Sequence, residues 1–281
     1  MTKKKLLLVD GNSVAFRAFF ALHNSLERFK NKNGLHTNAI YAFNNMFENV
    51  MQKEMPTHVL VAFDAGKTTF RTEFYSEYKA GRSKTPGEFK EQMPYIRELL
   101  EGLGVKYYEL PNYEADDIIG TLANKVDKDE FDVVVLSGDR DLTQLATDTV
   151  KVDITVKGVS DIESYTPEHI AEKYDGLTPK QIIDMKGLAG DTSDNIPGVT
   201  KIGEKTAIKL LKQYGSVEGV YENIDEMKKS KMKENLINDK EQAFLSKRLA
   251  TIEVNAPVEV NVEDLAYEGK NLEKLVPFYK E

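Results

Sequence analysis

Five short segments of this 281-residue chain each place carboxylates at one end of a predicted strand or helix. Each segment alone is also typical of a turn, a helix cap or a first helical turn, where acids are common for structural reasons. If the segments meet, however, their anions repel one another strongly unless cations lie between them. The acids are Asp10, Asp64, Glu114, Asp116, Asp117, Asp139, Asp141, Asp191 and Asp194. The set therefore predicts a site for divalent cations.

The composition restricts which metal this site can hold. The chain has no cysteine, which excludes thiolate catalysis, disulfides and cysteine-ligated metals. Its four histidines are scattered, so a zinc site built from histidines is not expected. Oxygen ligands favour Mg²⁺, for which Mn²⁺ can substitute. We therefore expect a carboxylate site that binds Mg²⁺ or Mn²⁺.

A basic and aromatic segment extends from residue 68 to residue 82. Three cations alternate there with four aromatic rings, in the set Phe70, Arg71, Phe74, Tyr75, Tyr78, Lys79 and Arg82. Cations contact phosphates while aromatic faces stack on unpaired bases, so the segment predicts binding of a nucleic-acid single strand. The structural alternative is an exposed amphipathic helix.

Two glycines five residues apart, Gly198 and Gly203, precede a predicted helix. Glycine lets the backbone turn tightly and approach a phosphate, and the start of a helix offers free N–H groups. The segment is close to a P-loop, but Glu204 separates Gly203 from Lys205 and no strand precedes it. This excludes nucleoside triphosphate binding. The segment is therefore predicted to bind a phosphate backbone. The structural alternative is a plain turn between two helices.

The elements that must position these residues alternate in the first half of the chain. The predicted strands are 6–10, 58–64 and 131–137, and the predicted helices are 38–53, 91–103 and 114–126. This alternation indicates an α/β fold, a mostly parallel central sheet flanked by helices. In such sheets ligands bind beyond the carboxyl ends of the strands, so acids at those ends would converge.

Strand patterns fade after about residue 165, and short helices with Gly/Pro turns replace them. The predicted helices of this part are 167–174, 179–186, 204–213 and 234–250. We predict an α/β domain at 1–168 and a helical domain at 169–262. Residues 263–281 are predicted to be a tail, because their periodicity is weak and they end without a cap, as a linker to a further module would.

Net charge and hydropathy restrict the cellular setting rather than the function. The net charge is −8, but without the nine carboxylates the rest of the chain is nearly neutral, so net charge does not exclude a nucleic-acid partner. No apolar run approaches the roughly 18 residues of a membrane span. The apolar run at the N-terminus is too short for a signal peptide. We expect a cytoplasmic protein without a membrane partner.

Five motifs occur in order along the chain, and together they resemble the 5′-nuclease (flap endonuclease) family. The motifs are Leu8-Val9-Asp10-Gly11, Phe63-Asp64, Tyr113-Glu114-Ala115-Asp116-Asp117, Ser137-Gly138-Asp139-Arg140-Asp141 and the run from Gly190 to Gly198. Within the family the chain is most similar to the 5′→3′ exonuclease domains that bacterial DNA polymerases carry. The resemblance covers nearly the whole chain, none of the family's acidic positions is missing, and it implies a PIN-like nuclease core.

The resemblance implies two groups of metal ligands, so two or more ions. The first group would comprise Asp10, Asp64, Glu114 and Asp116, and the second Asp139, Asp141 and Asp191. Asp117 and Asp194 would support them directly or through water. Two close ions can activate a water and stabilise the leaving oxygen of a phosphodiester. The implied reaction is metal-dependent hydrolysis that leaves a 5′-phosphate and a 3′-hydroxyl, with Asp116 indispensable for catalysis.

The resemblance also assigns roles to the basic segments. Residues 68–90 would form a helical arch over the active site, where Lys79 and Arg82 stabilise transition-state charge. Arg71 and Tyr78 would also contact DNA. Arg17 is a weaker candidate for stabilising transition-state charge. The glycine segment would be a helix–hairpin–helix element that grips duplex backbone and binds K⁺. Its phosphate contacts would be Gly198, Lys201, Gly203, Lys205 and Lys209.

The function implied is that of a structure-specific 5′→3′ exonuclease and 5′-flap endonuclease in replication and repair. Its partners would be DNA with 5′ flaps, nicks or junctions of single strand and duplex, together with RNA-primer hybrids. We expect a monomer at the bacterial nucleoid, with a polymerase module in the same native chain.

Three alternatives compete with this function. A phosphatase or phosphotransferase that begins with a strand-terminal aspartate usually has a second aspartate two residues later, where this chain has Asn12. A catalytically silent DNA-junction binder would be expected to lack one of the metal-site acids. An RNA-specific nuclease of related fold stays open, because backbone contacts discriminate poorly between the two nucleic acids.

Overall fold

Six strands form one sheet in this computed structural model, which describes residues 2–158 and 160–281. The strands are β1 (Lys4–Asp10), β2 (His58–Phe63), β3 (Lys106–Glu109), β4 (Phe131–Ser137), β5 (Val150–Lys157) and β6 (Asp161–Tyr165). Their order is β3-β2-β1-β4-β5-β6. All neighbours pair in parallel except β5 and β6, which are antiparallel. The mostly parallel sheet is therefore confirmed, with three strands more than were predicted.

Helices cover both faces of this sheet. They are α1 (Gly11–Ala21), α2 (Asn38–Glu54), α3 (Phe70–Phe74), α4 (Gly87–Lys90), α5 (Met93–Gly102) and α6 (Ala115–Lys125). Leu7 and Val9 of β1 belong to a core formed with α1, α2 and α5, whereas Leu6 and Leu8 join the core that contains α6. Successive strand residues point to opposite faces, so a strand apolar at every position is buried on both.

The second half of the chain forms the predicted helical domain. Its helices are α7 (Pro167–Lys173), α8 (Gln181–Ala189), α9 (Glu204–Tyr214), α10 (Val217–Glu222), α11 (Lys231–Asn238) and α12 (Lys240–Ala250). Buried side chains such as Leu188 and Leu210 belong to the same apolar cluster as those of α6. The helical domain is thus packed directly against one face of the α/β domain. In the part of the chain that the structure describes, no helix is long and apolar enough to cross a membrane.

The predicted helical arch at 68–90 is helical only at its two ends. The helices α3 and α4 flank residues 75–86, which form turns and irregular chain. Lys79 has a positive φ of 60°, which a helix cannot contain. The segment is therefore a loop between two short helices, and the helical arch expected near 68–90 is helical only at its ends.

The C-terminal segment is not the predicted tail. Residues Leu272–Lys280 form a helix, α13, that packs against α5 and buries Leu275. The backbone N–H of Asn271 donates to the carbonyl of Gly102 at 2.8 Å, and His58 and Ala266 form an isolated β-bridge. The chain therefore returns to the α/β domain after α12. Weak periodicity concealed this because α13 contacts the domain along a narrow stripe.

Candidate metal centre and nucleic-acid interface

Two strand-terminal acids are fixed by hydrogen bonds between neighbouring elements. Asp10 ends β1 and caps α1, where its carboxylate accepts from the backbone N–H of Ser13 at 3.3 Å. Asp64 follows β2, and its backbone N–H donates to Asn12 Oδ1 at 2.8 Å. The carboxylate of Asp64 accepts from the N–H of Ala115 at 2.7 Å. These bonds join the start of α1, the end of β2 and the start of α6 at one edge of the sheet.

The acids at the start of α6 divide into two environments. Asp116 is partly exposed, whereas Asp117 is fully buried. One oxygen of Asp117 accepts from the N–H of Glu114 at 3.0 Å, and Arg71 donates to both oxygens of Asp117 at 2.8 Å. The N–H of Glu253 donates to Asp117 at 2.9 Å as well. Both oxygens of Asp117 are thus occupied, so it offers no free oxygen as a direct metal ligand in this structure, and its support of the metals through water stays a prediction. It holds the capping box of α6 and the ion pair with Arg71.

The third pair of acids follows β4. Asp139 caps the 3₁₀ helix Arg140–Leu145 and accepts from the N–H of Asp141 at 2.9 Å. The buried Ser137 hydroxyl donates to Asp10 at 2.8 Å and accepts from the N–H of Asp139 at 3.0 Å. Ser137 therefore holds Asp10 and Asp139 in a fixed relation across β1 and β4.

The last pair of acids comes from the helical domain. Carboxylate oxygens of Asp141, Asp191 and Asp194 lie within 4.8 Å of one another. Among the described residues this is the one group with such ligand spacing. The predicted second group named Asp139 in the place of Asp194, and the predicted first group is not assembled this closely. The fold accordingly brings the predicted acids to one edge of the sheet. Among the described residues, only these three have carboxylate oxygens close enough together to bind one metal ion.

Burial and mutual repulsion disfavour the ionised form of several of these acids. Burial raises the pKa of Asp10 to about 7, and the charge of Asp64 adds to this increase. Burial raises the pKa of Asp141 to about 7 as well, with Asp139 adding to it. The pKa values of Asp64, Asp116 and Asp139 are also raised, first of all by burial. The charge of Asp10 is the next cause for Asp116. A cluster of this kind is short of positive charge.

Four basic side chains pair with Glu114, Asp117, Asp141, Asp191 and Asp194. Lys79 pairs with Glu114, Arg82 with Asp194 at 2.5 Å, and Arg71 with Glu114 at 2.7 Å and with Asp117. Lys186 of α8 pairs with Asp141 and, at 2.7 Å, with Asp191. Burial opposes ionisation of Glu114, but Lys79 and Arg71 outweigh it and lower the pKa of Glu114. Among the described residues, none of these cations is within ion-pair distance of Asp10, Asp64, Asp116 or Asp139.

The loop at 75–86 is attached to the acidic loop of the helical domain. The N–H of Lys79 donates to the carbonyl of Asp194 at 2.8 Å, and the Asn195 side chain donates to the carbonyl of Glu77 at 2.7 Å. With the Arg82–Asp194 pair, these contacts place both predicted phosphate-stabilising cations beside the carboxylates. The structure thus brings Lys79 and Arg82 to the site.

Two residues predicted to contact DNA are buried instead. Arg71 is 2% exposed, and besides its acids it donates to the carbonyls of Leu249 at 3.1 Å and Thr251 at 2.7 Å. Tyr78 is 8% exposed, packs in a cluster with Leu249, and donates from its hydroxyl to Glu114 at 3.3 Å. Neither side chain can reach a nucleic acid in this conformation. The aromatic rings of the segment serve packing, because burying them stabilises the base of the loop.

Arg17 and the hairpin residues lie where a ligand could reach them. Arg17 is half-buried, lies against Gly138 and donates to the carbonyl of Val156 at 3.1 Å. Gly198 has a φ of 62°, and a side chain there would lie 2.3 Å from the backbone nitrogen of Gly190, so the turn requires glycine. Gly203 precedes α9 as its N-cap. Lys201, Lys205 and Lys209 are all exposed.

Three residues that contact the acids of the site had not been predicted: Lys186, Ser137 and Asn12. Lys186 lies five residues before Asp191, but no local pattern shows that its side chain reaches Asp141 from another domain. Ser137 and Asn12 stand beside predicted acids in the sequence. Their position next to Gly138-Asp139 and Asp10-Gly11 could have indicated this role, because small polar residues at strand ends often bind neighbouring groups.

We expect the metal-free protein to lose stability as the pH rises from about 5 to about 8. Asp10 and Asp141 bind protons more tightly in the folded state, with pKa values of about 7 against 3.8. Their contribution is fully present below the unfolded pKa and is lost as the pH rises through the folded pKa. The pKa values of Glu114 and Asp191 are lowered, so their contributions to stability change with pH only below this range.

Melting temperatures measured in chelator across this pH range test the expectation. The same series in saturating Mg²⁺ should show a smaller decline, because bound cations offset the repulsion. This comparison also separates the acids from His58, whose pKa is lowered by burial and which acts in the opposite direction. A metal-free melting temperature that stays level or rises with pH would contradict the assignment.

Two family models match successive parts of the chain. The model for the 5′-3′ exonuclease N-terminal resolvase-like domain matches residues 5–175, and that for the 5′-3′ exonuclease C-terminal SAM fold matches residues 177–273. The chain is 62% identical over 281 residues to DNA polymerase I of Streptococcus pneumoniae, covering 100% of this chain and 32% of that protein. It is 60% identical over 279 residues to DNA polymerase I of Bacillus subtilis, covering 99% and 31%. The chain thus spans about a third of the length of these relatives.

Solved structures show the same fold at low sequence identity. A phage T5 5′-exonuclease with bound zinc ions aligns with a TM-score of 0.72 at 24% identity, covering 99% of this chain and 97% of that chain. The catalytic core of Rad2 in complex with a DNA substrate aligns with a TM-score of 0.60 at 17% identity, covering 99% and 87%. Both likenesses concern the fold alone.

Proposed function

The chain belongs to the 5′-3′ exonuclease family, and from this premise we propose that it is a structure-specific 5′ nuclease requiring Mg²⁺ or Mn²⁺. It would hydrolyse DNA phosphodiesters near a junction of duplex and 5′ single strand, leaving a 5′-phosphate and a 3′-hydroxyl. One observation carries the proposal. Four acids at the sheet edge, Asp10, Asp64, Asp116 and Asp139, have no basic partner within ion-pair distance among the described residues, and they lie beside two cations of the loop at 75–86.

The donor set fits hard divalent cations. Every candidate ligand is a carboxylate, and the raised pKa of Asp10, Asp116 and Asp139 expresses a deficit of positive charge that divalent ions would remove. Asp141, Asp191 and Asp194 already have the spacing of a ligand group. When bound, two such ions would supply an activated water and compensation for the charge on the phosphate. Ser137 and Asn12 would keep Asp10 and Asp64 in place.

The cations of the loop at 75–86 would act on the scissile phosphate. In this structure Lys79 and Arg82 neutralise Glu114 and Asp194. Divalent ions in the site would take over that neutralisation, so that Lys79 and Arg82 could turn to phosphate oxygens. A fixed cation beside the reacting phosphate stabilises the charge that develops during hydrolysis. No side chain needs to serve as a nucleophile.

The substrates that suit this arrangement are branched. The exposed hairpin lysines would grip duplex backbone, while the loop would take the 5′ single strand, so cleavage would occur where the two meet. 5′ flaps, nicks and RNA-primer hybrids present this junction. We further propose a role in replication and repair, a cytoplasmic location at the nucleoid, a monomeric state, K⁺ binding at the hairpin and a polymerase module in the same native chain. The 32% coverage of the polymerase relatives supports the last point.

Cleavage of an end-labelled 5′-flap duplex tests the proposal directly. We expect cutting close to the junction with Mg²⁺ and none with excess chelator. A matched duplex with an RNA flap measures the preference between the two nucleic acids. Tight binding without cleavage in both Mg²⁺ and Mn²⁺ would instead identify a silent junction binder.

We expect Lys79→Ala to lower the single-turnover cleavage rate by roughly 10²–10³-fold, the usual effect of removing one charge-stabilising donor. The matched control is Lys84→Ala, an exposed lysine of the same loop, which should cleave at nearly the wild-type rate. Single-turnover rates and equilibrium binding are measured for both variants on the same flap substrate. A loss confined to affinity, with the rate at saturation unchanged, would make Lys79 a binding residue only.

A further inference from the structure

A second group of lysines lies next to the hairpin, in a part of the chain to which no role has been assigned. The stretch from Met227 to Lys233 contains four lysines and no acid, in a chain whose net charge is −8. Lys228, Lys229 and Lys231 are exposed. We refer to these three residues as the lysine patch. Since the protein as a whole is acidic, a local concentration of cations creates a field that differs in sign from its surroundings.

The lysine patch is held in place by the fourth lysine of the stretch, Lys233. Lys233 is half-buried and donates from Nζ to the carbonyl of Met227 at 3.0 Å and to that of Asp225 at 3.3 Å. Ser230 caps α11 by accepting from the N–H of Lys233 at 3.1 Å. These bonds order the backbone that bears the patch. The three outer lysines therefore project from a fixed turn rather than from a loose loop.

The patch lysines are little neutralised within the protein. Lys231 pairs with Glu234 at 3.2 Å, but both side chains are largely exposed, so the pair is weak. Among the described residues, no carboxylate lies within 4 Å of the ammonium groups of Lys228 or Lys229. Their charge is thus available to an external anion.

The patch is joined rigidly to the hairpin. Thr200, at the hairpin turn, donates from its N–H to Asp239 at 2.8 Å, and its carbonyl accepts from the Asn235 side chain at 3.2 Å. Both backbone groups of Thr200 are therefore bound by α11 and the residue after it. Lys231 precedes Asn235 by four residues, which is about 6 Å along the axis of α11. The turn that bears the patch is consequently attached through α11 to the hairpin turn, next to the exposed Lys201.

We propose that the lysine patch contacts phosphates of the duplex arm beyond those bound by the hairpin, extending the grip on the substrate along one strand. This inference rests on the proposed function. Several cations spaced along a surface suit a polyanion with regularly repeated charges better than a single small anion. DNA offers a charge every ~3.4 Å of rise along each strand. Contacts of this type add affinity and salt dependence without reading sequence.

The salt dependence of binding tests the proposal. The affinity of Lys228→Gln/Lys229→Gln for a duplex substrate is measured in Ca²⁺, without cleavage, across a series of salt concentrations. We expect the slope of log affinity against log salt to become shallower by about 2, since each phosphate contact contributes about 0.9. The matched control is Lys125→Gln/Lys128→Gln, which removes two exposed lysines at the opposite edge of the sheet and should leave the slope unchanged.

Two further measurements separate the possible failures. On a duplex arm of about 6 base pairs, ~20 Å long, wild type and patch variant should show the same salt dependence of binding. On an arm of about 18 base pairs their salt dependences should differ. Lys201→Gln/Lys205→Gln probes the hairpin itself. If that variant flattens the slope and the patch variant does not, the patch proposal fails alone. If the wild-type protein shows no salt-dependent duplex binding, the proposed function fails as well.

Discussion

Replacing Asp116 by asparagine is expected to lower cleavage of a 5′-flap substrate by roughly 10³-fold or more, equivalent to about 4 kcal/mol of transition-state stabilisation. Asp116 is the partly exposed acid of α6, and its pKa is raised by burial and then by Asp10 and Asp139. Without metal, the neighbouring carboxylates repel the ionised carboxylate of Asp116. That carboxylate is therefore available to bind a metal ion. Asparagine keeps the size of the side chain but removes the negative charge that a divalent cation requires.

The same substitution should raise the stability of the metal-free protein near pH 8. The ionised carboxylate of Asp116 is disfavoured in the folded state, so a neutral side chain of equal size relieves repulsion. Differential scanning calorimetry in chelator measures this effect, and a second scan in Mg²⁺ measures the metal-induced rise in melting temperature. We expect Asp116→Asn to melt higher than wild type in chelator and to gain less from Mg²⁺.

The matched control is Asp129→Asn, an exposed acid in the turn before β4. It should keep wild-type activity and the full response to Mg²⁺. Loss of activity together with a lower metal-free melting temperature would show that Asp116 supports the fold. Cleavage near the wild-type rate would remove Asp116 from the metal site.

The part of the fold that the sequence predicted is the part whose residues are buried on both faces. β1, β2 and β4 each contain an uninterrupted run of four or five apolar residues, and such runs are typical of parallel strands that are buried on both faces. β3 contains Lys106 and Glu109 and has only four residues, so it lacks that pattern. It forms because β2 offers it a partner edge. Such tertiary pairing leaves no trace in a local window.

The predicted helix at 234–250 shows a second limit. The structure divides it into α11 and α12 at Asp239, whose carboxylate accepts from the N–H of Thr200. Hydrophobic spacing on either side of Asp239 is helical, so periodicity alone joins the two helices. The break depends on a contact with the hairpin 39 residues earlier in the chain.

For the candidate site, residue type was a better guide than role. The nine acids could be proposed together because strand ends and helix starts are visible in sequence and the carboxyl ends of parallel strands share one edge. Their binding of metal stays a prediction. Their division into ligands and supports depends on which cations approach them. Asp117 is taken by Arg71, and Lys186 reaches Asp141 from the helical domain. Both contacts join residues distant in sequence, so spacing could not distinguish Asp117 from Asp116.

Arg71 is a charged residue that supports the fold because it is buried. Arg71→Met is expected to lower the free energy of unfolding by about 3–5 kcal/mol. Its guanidinium makes five hydrogen bonds, to Glu114, to both oxygens of Asp117 and to the carbonyls of Leu249 and Thr251. Removing it leaves the fully buried Asp117 without a counter-ion. It also detaches α3 from α6 and from the end of α12. Urea unfolding in chelator measures the loss, with the exposed Arg28→Met as the control.

A double-mutant cycle with Asp117→Asn separates the ion pair from the remaining contacts of Arg71. Asparagine removes the buried charge, so Arg71→Met should be much less destabilising in that background than in wild type, and the two effects should not add. Cleavage by Arg71→Met should fall in step with the fraction unfolded, since Arg71 lies too deep to touch a substrate. A variant of wild-type stability with reduced DNA affinity would restore the DNA contact that the sequence pattern suggested. Additive effects in the cycle would show instead that the carbonyls of Leu249 and Thr251, rather than Asp117, account for the role of Arg71.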